Sequence, residues 1–222
     1  MPVNTEKYQE IIEELSTTRT KLIAVSKTKP HEDIKSLFEL GQRDFGENYV
    51  QELVDKHAIL PKDIHWHFIG HLQSNKVKYI ASFVHLIHGV DSLKLLIEIN
   101  KQAQKSDRVI NCLLQMHIAT EETKFGMNQS ELYEALAASV HFSNVTIKGL
   151  MGMASFSDNQ LQVRNEFKFL HQQLQNIQAM QGAPFTILSM GMSGDYQLAI
   201  EEGSTMVRIG SLLFGARNYN AS

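Results

Sequence analysis

Short apolar runs alternate with amphipathic segments along most of the 222-residue chain. The runs are rich in β-branched residues, as expected of strands buried on both faces. The segments between them repeat apolar positions every three or four residues, which is the period of a helix with one buried face. Eight strands are predicted, over Leu22–Val25, Arg43–Gly46, His65–Ile69, Phe83–His88, Val109–His117, Val145–Leu150, Pro184–Leu188 and Thr205–Ile209. Helices are predicted over Glu6–Thr20, His31–Leu40, Asn48–Leu60, Ser74–Ala81, Ser92–Lys105, Ser130–Ser139, Val163–Ile177 and Asp195–Ile200.

This alternation predicts a parallel sheet, because each helix carries the chain back to the start of the next strand. Eight such units fit a closed (β/α)₈ TIM barrel, of the α/β class. No proline-rich or glycine-rich linker divides residues 1–222, so we expect one domain. An open, doubly wound sheet is the alternative, although its usual G-x-G-x-x-G signature does not follow the first strand.

The composition indicates a globular protein and argues against several other classes. Hydrophobic residues make up 43% of the chain and charged residues 20%, which is typical of a globular protein. A net charge of -3 gives no electrostatic reason to expect binding to nucleic acid or to an anionic membrane. No apolar run is long enough to span a bilayer, and Met1–Glu10 lacks a signal-peptide core. The single cysteine, Cys112, excludes an internal disulfide and predicts a cytoplasmic protein.

The carboxyl ends of barrel strands meet at one mouth, where the active site of this fold lies. Lys27 comes directly after the first apolar run, and Pro30 prevents that strand from continuing. An amine in this position is partly desolvated, so its pKa is expected to fall and it becomes a candidate nucleophile for an aldehyde. Taken alone, the residue is better interpreted as a lysine that extends from the barrel rim into solvent.

The ends of the last two strands change that interpretation. Ser189–Ser193 and Arg208–Ser211 supply glycines and small hydroxyls, and barrel phosphate sites are usually built by these two loops. A lysine and a phosphate site in one mouth together predict pyridoxal phosphate held as a Schiff base. Arg208 would then keep the pyridine nitrogen unprotonated, because arginine does not release its proton. The alternative for Arg208 is an ion pair with Glu201 or Glu202.

Longer motifs carry a family resemblance over nearly the whole chain. They are A-V-S-K-T-K-P from Ala24, F-G-E-N-Y-V-Q-E from Phe45, W-H-F-I-G-H-L-Q-S-N-K from Trp66, K-F-G-M from Lys124, G-L-M-G-M-A from Gly149, L-S-M-G-M-S-G-D from Leu188 and V-R-I-G-S-L-L-F-G-A-R from Val207. In these motifs the chain resembles the pyridoxal phosphate homeostasis proteins (YggS/PROSC type), which are similar to the N-terminal barrel of alanine racemase.

The resemblance implies a set of cofactor-binding residues. Lys27 would form the Schiff base and Arg208 would face the pyridine nitrogen. The phosphate would lie among Ser189, Gly191, Ser193, Gly210 and Ser211, the last of which replaces a threonine of many members. Asn48, His71 and Met153 would line the cofactor. The implied function is to hold or buffer pyridoxal phosphate, or to deliver it to dependent apo-enzymes, and the expected state is a monomer without robust turnover.

A racemase is the first alternative enzyme. Racemases of this barrel type use a second base, a tyrosine from an additional β-domain, and we expect no such domain because the chain ends at Ser222. Tyr49 and His71 are then the only nearby bases, and both are more simply interpreted as pocket lining. A racemisation assay separates the two interpretations.

Three further classes are less well supported. A metal-dependent barrel hydrolase could use His65 and His67, which share one face of a strand and suit zinc. They lie in the body of the third strand, away from the barrel mouth, and no acidic cluster at the other strand ends completes a ligand set, so no metal is predicted. A serine hydrolase is excluded because Ser193 is followed directly by Gly194, which does not match G-x-S-x-G. A cofactor-independent Schiff-base aldolase would leave Arg208 unused.

Overall fold

Eight parallel strands form a closed barrel in the computed structural model, which describes residues 3–181 and 185–215. The strands follow one another around the barrel in chain order, and the last pairs with the first, with Leu22 in register with Val207. They are β1 (Lys21–Val25), β2 (Asp44–Glu47), β3 (His65–Phe68), β4 (Leu86–Val90), β5 (Ile110–Met116), β6 (Val145–Gly152), β7 (Ile187–Met192) and β8 (Met206–Ile209). The predicted (β/α)₈ barrel is confirmed, and the open sheet is excluded.

Helices cover the outside of the barrel. They are α1 (Thr5–Ser16), α2 (His31–Glu39), α3 (Val50–Ile59), α4 (Leu93–Lys105), α5 (Gln129–Ser139), α6 (Gln160–Gln181), α7 (Tyr196–Glu201) and α8 (Ser211–Phe214). The predicted helix over Ser74–Ala81 is a 3-10 helix, Ser74–Tyr79. Side-chain caps fix several starts: Asn4 accepts from the Lys7 backbone N–H, and Asn128 forms a capping box with Glu131.

Successive strand residues point alternately outward and inward, and this separates two apolar clusters. Leu22 and Ala24 pack outward against the helices, whereas Ile23 points into the barrel, where it joins a small cluster with Met151 and Met206. The same alternation on β7 and β8 places Ser189 and Arg208 inside the barrel, and both are buried. The barrel interior therefore holds polar side chains as well as apolar ones.

Two strand predictions were misplaced. The strand predicted over Phe83–His88 begins at Leu86, because the backbone N–H groups of Phe83 and Val84 still bond to the Ile80 carbonyl in a turn. The strand predicted over Pro184–Leu188 is Ile187–Met192, and Pro184 lies outside the described residues. Local sequence ends that strand early since serine and glycine favour turns, but pairing with β8 carries it on to Met192.

Across residues 3–181 and 185–215, no helix combines the length and the apolar character that crossing a bilayer takes.

Candidate binding site at the carboxyl ends of the strands

A cavity of about 450 Å³ opens at the mouth formed by the carboxyl ends of the strands. Its wall consists of Val25, Lys27, Lys29, Asn48, Ile69, Met153, Phe156, Met192, Ser193, Gly194, Arg208, Gly210, Ser211 and Gly215. Seven of the ten residues selected from the sequence are in this wall, namely Lys27, Asn48, Met153, Ser193, Arg208, Gly210 and Ser211. The volume lies in the range of pockets that hold small cofactors, about 300–1,000 Å³.

Lys27 occupies a turn that is fixed on both sides. The residue before it, Ser26, is buried; its hydroxyl donates to Oε1 of Glu47 at 2.6 Å and its carbonyl accepts from Nζ of Lys56 at 2.7 Å. The residue after it, Thr28, has a positive φ of 63° and donates its backbone N–H to Oε1 of Glu52 at 2.6 Å. A β-branched residue in the left-handed region is strained, so these contacts hold the turn that carries Lys27 in place.

Lys29, two residues further along, makes a hydrogen bond to the end of α8. Nζ of Lys29 donates to the carbonyl oxygen of Phe214 at 2.7 Å, so it closes the end of α8 although part of the side chain lines the cavity. Both lysines are partly buried. Lys29 therefore anchors the last helix as well as lining the cavity.

The buried ammonium of Lys56 forms ion pairs with two carboxylates, Glu47 and Glu52, beneath this turn. Nζ of Lys56 lies 2.8 Å from Glu47 and 2.6 Å from Glu52, and both Lys56 and Glu47 are buried. Burial raises the pKa of Glu47 to about 7, since the attraction of Lys56 does not offset desolvation and Glu52 repels a second negative charge. Sequence reasoning missed this group, although Glu47 directly follows the predicted end of the second strand at Gly46.

Arg208 is buried in the floor of the cavity. Nη1 donates to the hydroxyl and the carbonyl oxygens of Ser189, at 2.7 and 2.8 Å, and Nη2 donates to the Gly152 carbonyl at 3.0 Å. Burial lowers its pKa to about 10, with Asp195 acting in the opposite direction, so the guanidinium keeps its charge at neutral pH. No ion pair joins it to Glu201 or Glu202 among the described residues; Arg164 pairs with both instead.

A hydrogen-bonded chain continues from Arg208 through the barrel interior. Oγ of Ser189 is 2.9 Å from Nδ1 of His88, Nε2 of His88 is 2.9 Å from Nδ1 of His67, and Nε2 of His67 is 2.9 Å from Oδ1 of Asp44. Burial would raise the pKa of Asp44, but the hydrogen bond from His67 and the positive charge of Lys21 hold it at about 2. Burial lowers the pKa of both histidines, so both are neutral.

These charge states fix the direction of every bond in that chain. The Asp44 carboxylate only accepts, so Nε2 of His67 carries the proton and its Nδ1 accepts. His88 then donates from Nε2 and accepts at Nδ1, and the Ser189 hydroxyl donates to it while accepting from Arg208. One ordered chain of donors thus runs from the cavity floor to the opposite end of the barrel.

Small residues of the last two loops border the cavity next to Arg208. The Gly210 backbone N–H donates to Oγ of Ser193 at 3.2 Å, so the two loops are tied together. Gly191 has φ of +93°, and a Cβ added there would lie 2.6 Å from that of Ala199, so this glycine allows α7 to approach β7 and does not line the cavity. Ser189 likewise contacts Arg208 and His88 inside the barrel, not the cavity.

His71 and Asn48 lie differently with respect to the cavity. The His71 ring stacks on Phe125 at 3.9 Å and its Nδ1 is 2.8 Å from Oδ2 of Asp91, outside the cavity wall. Oδ1 of Asn48 is buried in the wall and has no hydrogen-bond partner within the described part of the chain. A buried acceptor without a donor is costly, so this oxygen indicates a ligand that donates to it.

Comparisons with known proteins bear on the same region. The family model described as "Alanine racemase, N-terminal domain" matches residues 4–218. The chain is 42% identical over 200 residues to the pyridoxal phosphate homeostasis protein of Aquifex aeolicus, covering 90% of this chain and 88% of that protein. It is 40% identical over 199 residues to the protein of the same name from Schizosaccharomyces pombe, covering 88% of this chain and 84% of that protein.

Solved structures show the same barrel. PipY of Synechococcus elongatus without PLP superposes with a TM-score of 0.90 at 34% identity, covering 95% of this chain and 99% of that chain. PipY with PLP bound superposes with a TM-score of 0.87 at 33% identity, with the same coverage. Alanine racemase from Bartonella henselae shares the fold, with a TM-score of 0.70 at 18% identity over 97% of this chain and 60% of that one.

Proposed function

Because the chain belongs to the alanine racemase N-terminal domain family, and within it to the pyridoxal phosphate homeostasis proteins, we propose that it binds pyridoxal 5'-phosphate as a Schiff base on Lys27. The observation that supports this most directly is the meeting of three groups in one cavity wall. These are the Lys27 side chain, the buried guanidinium of Arg208 and the unsatisfied oxygen of Asn48.

The cavity residues suit the parts of this cofactor. Lys27 supplies the amine for the aldehyde, and the loops that contain Ser193, Gly210 and Ser211 supply hydroxyl and backbone donors for the phosphate. Asn48 supplies an acceptor for a hydroxyl or protonated nitrogen. Ser189 and Gly191 support this site without lining the cavity. Ser189 accepts hydrogen bonds from Arg208, and Gly191 allows α7 to pack against β7.

Arg208 decides what chemistry the site favours. Bound pyridoxal phosphate supplies an electron sink that is strong only when its ring nitrogen is protonated. Arg208 donates hydrogen bonds and keeps its own proton at neutral pH, so a nitrogen facing it stays unprotonated. We therefore propose storage and delivery of the cofactor in preference to turnover of amino acids.

The positions of the two bases considered for a racemase support the same proposal. Tyr49 is 55% exposed and occupies the N-cap position of α3 without a side-chain cap, and His71 is held by Asp91 and Phe125 outside the cavity wall. We expect the cofactor-loaded protein to racemise alanine more slowly than about 1 s⁻¹, the low end for enzymes. Faster turnover would contradict the storage role but would not contradict the proposed cofactor-binding site.

The binding proposal is tested by absorbance and mass spectrometry. We expect the purified, loaded protein to absorb at the visible edge, to lose that band on borohydride reduction, and to yield a peptide modified at Lys27. Lys27→Ala removes the band, and Lys29→Ala, a lysine in the same loop and the same wall, retains it. A modified peptide at Lys29, or a band retained by Lys27→Ala, overturns the assignment.

Delivery is tested separately, by transfer to a dependent enzyme. The loaded protein is mixed with the apo form of a pyridoxal phosphate enzyme, with and without an excess of a phosphatase that destroys cofactor in solution. Recovery of activity that resists the phosphatase supports direct delivery. Recovery that the phosphatase abolishes shows that the protein only releases the cofactor into solution.

A further inference from the structure

A second group of ligand-type side chains lies at the opposite end of the barrel, where the strands begin. Asp44 is the first residue of β2, His65 and His67 belong to β3, and His85 directly precedes β4. Asp44, His67 and His85 each offer a ligand atom, and these atoms lie within 4.8 Å of one another. The sequence argument against a metal considered acids at the other strand ends of the barrel mouth, whereas Asp44 and His85 lie at the starts of β2 and β4.

The distances in this cluster are close to those around a metal ion. Nε2 of His67 is 2.9 Å from Oδ1 of Asp44, and Nδ1 of His65 is 3.3 Å from the same oxygen. A tetrahedral zinc with bonds of about 2.0 Å separates its ligand atoms by about 3.3 Å, so small side-chain rotations suffice. Lys21, whose Nζ is 3.5 Å from Oδ1 of Asp44, has a half-exposed side chain and can turn away.

The support behind His67 is an independent observation. Metal-bound histidines nearly always use their second ring nitrogen in a hydrogen bond that fixes the ring. Nδ1 of His67 makes such a bond with His88 inside the barrel, so its Nε2 is aimed at the cluster. The His85 ring stacks on the His65 ring at 4.5 Å between centroids, and its two nitrogens make no hydrogen bond to the described residues, so they are available to an ion.

We propose that Asp44, His67 and His85 bind a divalent transition metal ion at the amino end of the barrel, with His65 as a fourth donor. Two or three imidazoles and one carboxylate form a borderline donor set that suits Zn²⁺ and disfavours Ca²⁺ or Mg²⁺, which take oxygen ligands. The ion would join the starts of three neighbouring strands.

Binding would also reverse the hydrogen-bonded chain described above. A metal on Nε2 of His67 requires the proton of this ring to sit on Nδ1, so the ring changes tautomer with no net proton gained or lost. His67 then donates to Nε2 of His88, and His88 changes tautomer and donates from Nδ1 to Ser189. Metal binding at the amino end of the barrel thereby changes the hydrogen bonding of Ser189, the residue that holds Arg208.

The test uses the full chain with Zn²⁺ and with Co²⁺ as a spectroscopic probe. We expect one Zn²⁺ per chain by calorimetry, a Co²⁺ band of four-coordinate intensity, and a raised melting temperature. His85→Ala should weaken Zn²⁺ binding by about 100-fold or more, whereas His141→Ala, an exposed histidine between α5 and β6 and not a member of the cluster, leaves it unchanged. The His85 ring makes no hydrogen bond within the described part of the chain and its backbone bond to Trp66 survives the substitution, and His85→Gln serves as the second variant where the alanine variant is unstable.

Nitrogen-15 spectra of the histidine rings provide a readout that weak surface binding does not move. We expect Zn²⁺ to transfer the protonated signal of His67 and of His88 from Nε2 to Nδ1. Unchanged ring signals at saturating Zn²⁺, or equal affinity in the wild type and His85→Ala, would overturn the proposal. Weak binding without one-to-one stoichiometry would also overturn it, as adventitious ion binding.

Discussion

Nζ of Lys56 donates to the carbonyl oxygen of Ser26 at 2.7 Å, one residue before Lys27. The same ammonium contacts Glu47 and Glu52, and Glu52 accepts the backbone N–H of Thr28, one residue after Lys27. The position of the candidate nucleophile is thus set by a buried charge on α3 and not by β1 alone. This relationship makes Lys56 a positioning residue for the site.

Lys56→Met tests that role. The substitution leaves Glu47 and Glu52 without their shared ammonium, so we expect the free energy of unfolding in urea to fall by about 3–5 kcal/mol. The Thr28 turn also loses its support, so the variant should bind pyridoxal phosphate more weakly even at temperatures where circular dichroism shows it folded. Lys35→Met, an exposed lysine on α2, is the matched control and should change stability by less than about 0.5 kcal/mol. Unchanged affinity in folded Lys56→Met would show that the turn holds Lys27 without this network.

The raised pKa of Glu47 predicts a pH dependence of stability. A carboxyl whose folded pKa of about 7 exceeds its unfolded value binds more protons when folded, so its contribution is full below the unfolded pKa and is lost as the pH rises through 7. Between pH 5 and 7 the difference in unfolding free energy between wild type and Glu47→Gln should fall, by at most about 1.4 kcal/mol per pH unit. Denaturation curves of both proteins at several pH values measure it. A difference that stays constant, or grows with pH, shows that Glu47 is ionised throughout.

Ser189→Ala tests the link between Arg208 and the interior histidines. The change leaves Nδ1 of His88 without its donor, so we expect a loss of about 1–3 kcal/mol in unfolding free energy. The guanidinium loses one of its two contacts with Ser189, so the absorbance maximum of bound pyridoxal phosphate should shift. Ser36→Ala, which removes an exposed hydroxyl on α2, should change neither quantity. An unaltered spectrum would mean that the Ser189 carbonyl and Gly152 suffice to hold Arg208.

The barrel was predictable from the sequence because its signal is periodic and local. Buried strands such as β1 contain continuous apolar runs, here Leu22–Val25, and Lys27 and Arg208 lie close to the carboxyl ends of their strands, which the local pattern locates. The cavity contains both, together with Asn48 and Met153, which the family resemblance added.

The contacts of the buried polar side chains were not predictable, because they depend on which residues face one another across the barrel. Ser189 was placed in a loop by its glycine-rich neighbourhood, yet it is a strand residue that points inward. Asp44 and His85 are 41 residues apart and meet only once the strands are in register. Lys56 belongs to a helix whose apolar pattern gives no reason to expect a buried ammonium.

Asn48→Ala separates binding from stability. Oδ1 of Asn48 is buried without a donor in the described chain, so removing it takes away an unsatisfied acceptor as well as side-chain packing. We expect an unfolding free energy within about 1 kcal/mol of wild type, or slightly higher, in the protein freed of cofactor. The affinity for pyridoxal phosphate, measured by equilibrium dialysis, should fall about tenfold, the equivalent of about 1.4 kcal/mol. Asn176→Ala, a partly exposed asparagine on α6, should leave affinity unchanged. Equal affinities in the two variants would mean that Asn48 makes no contact with the cofactor, and that its oxygen is satisfied by water instead.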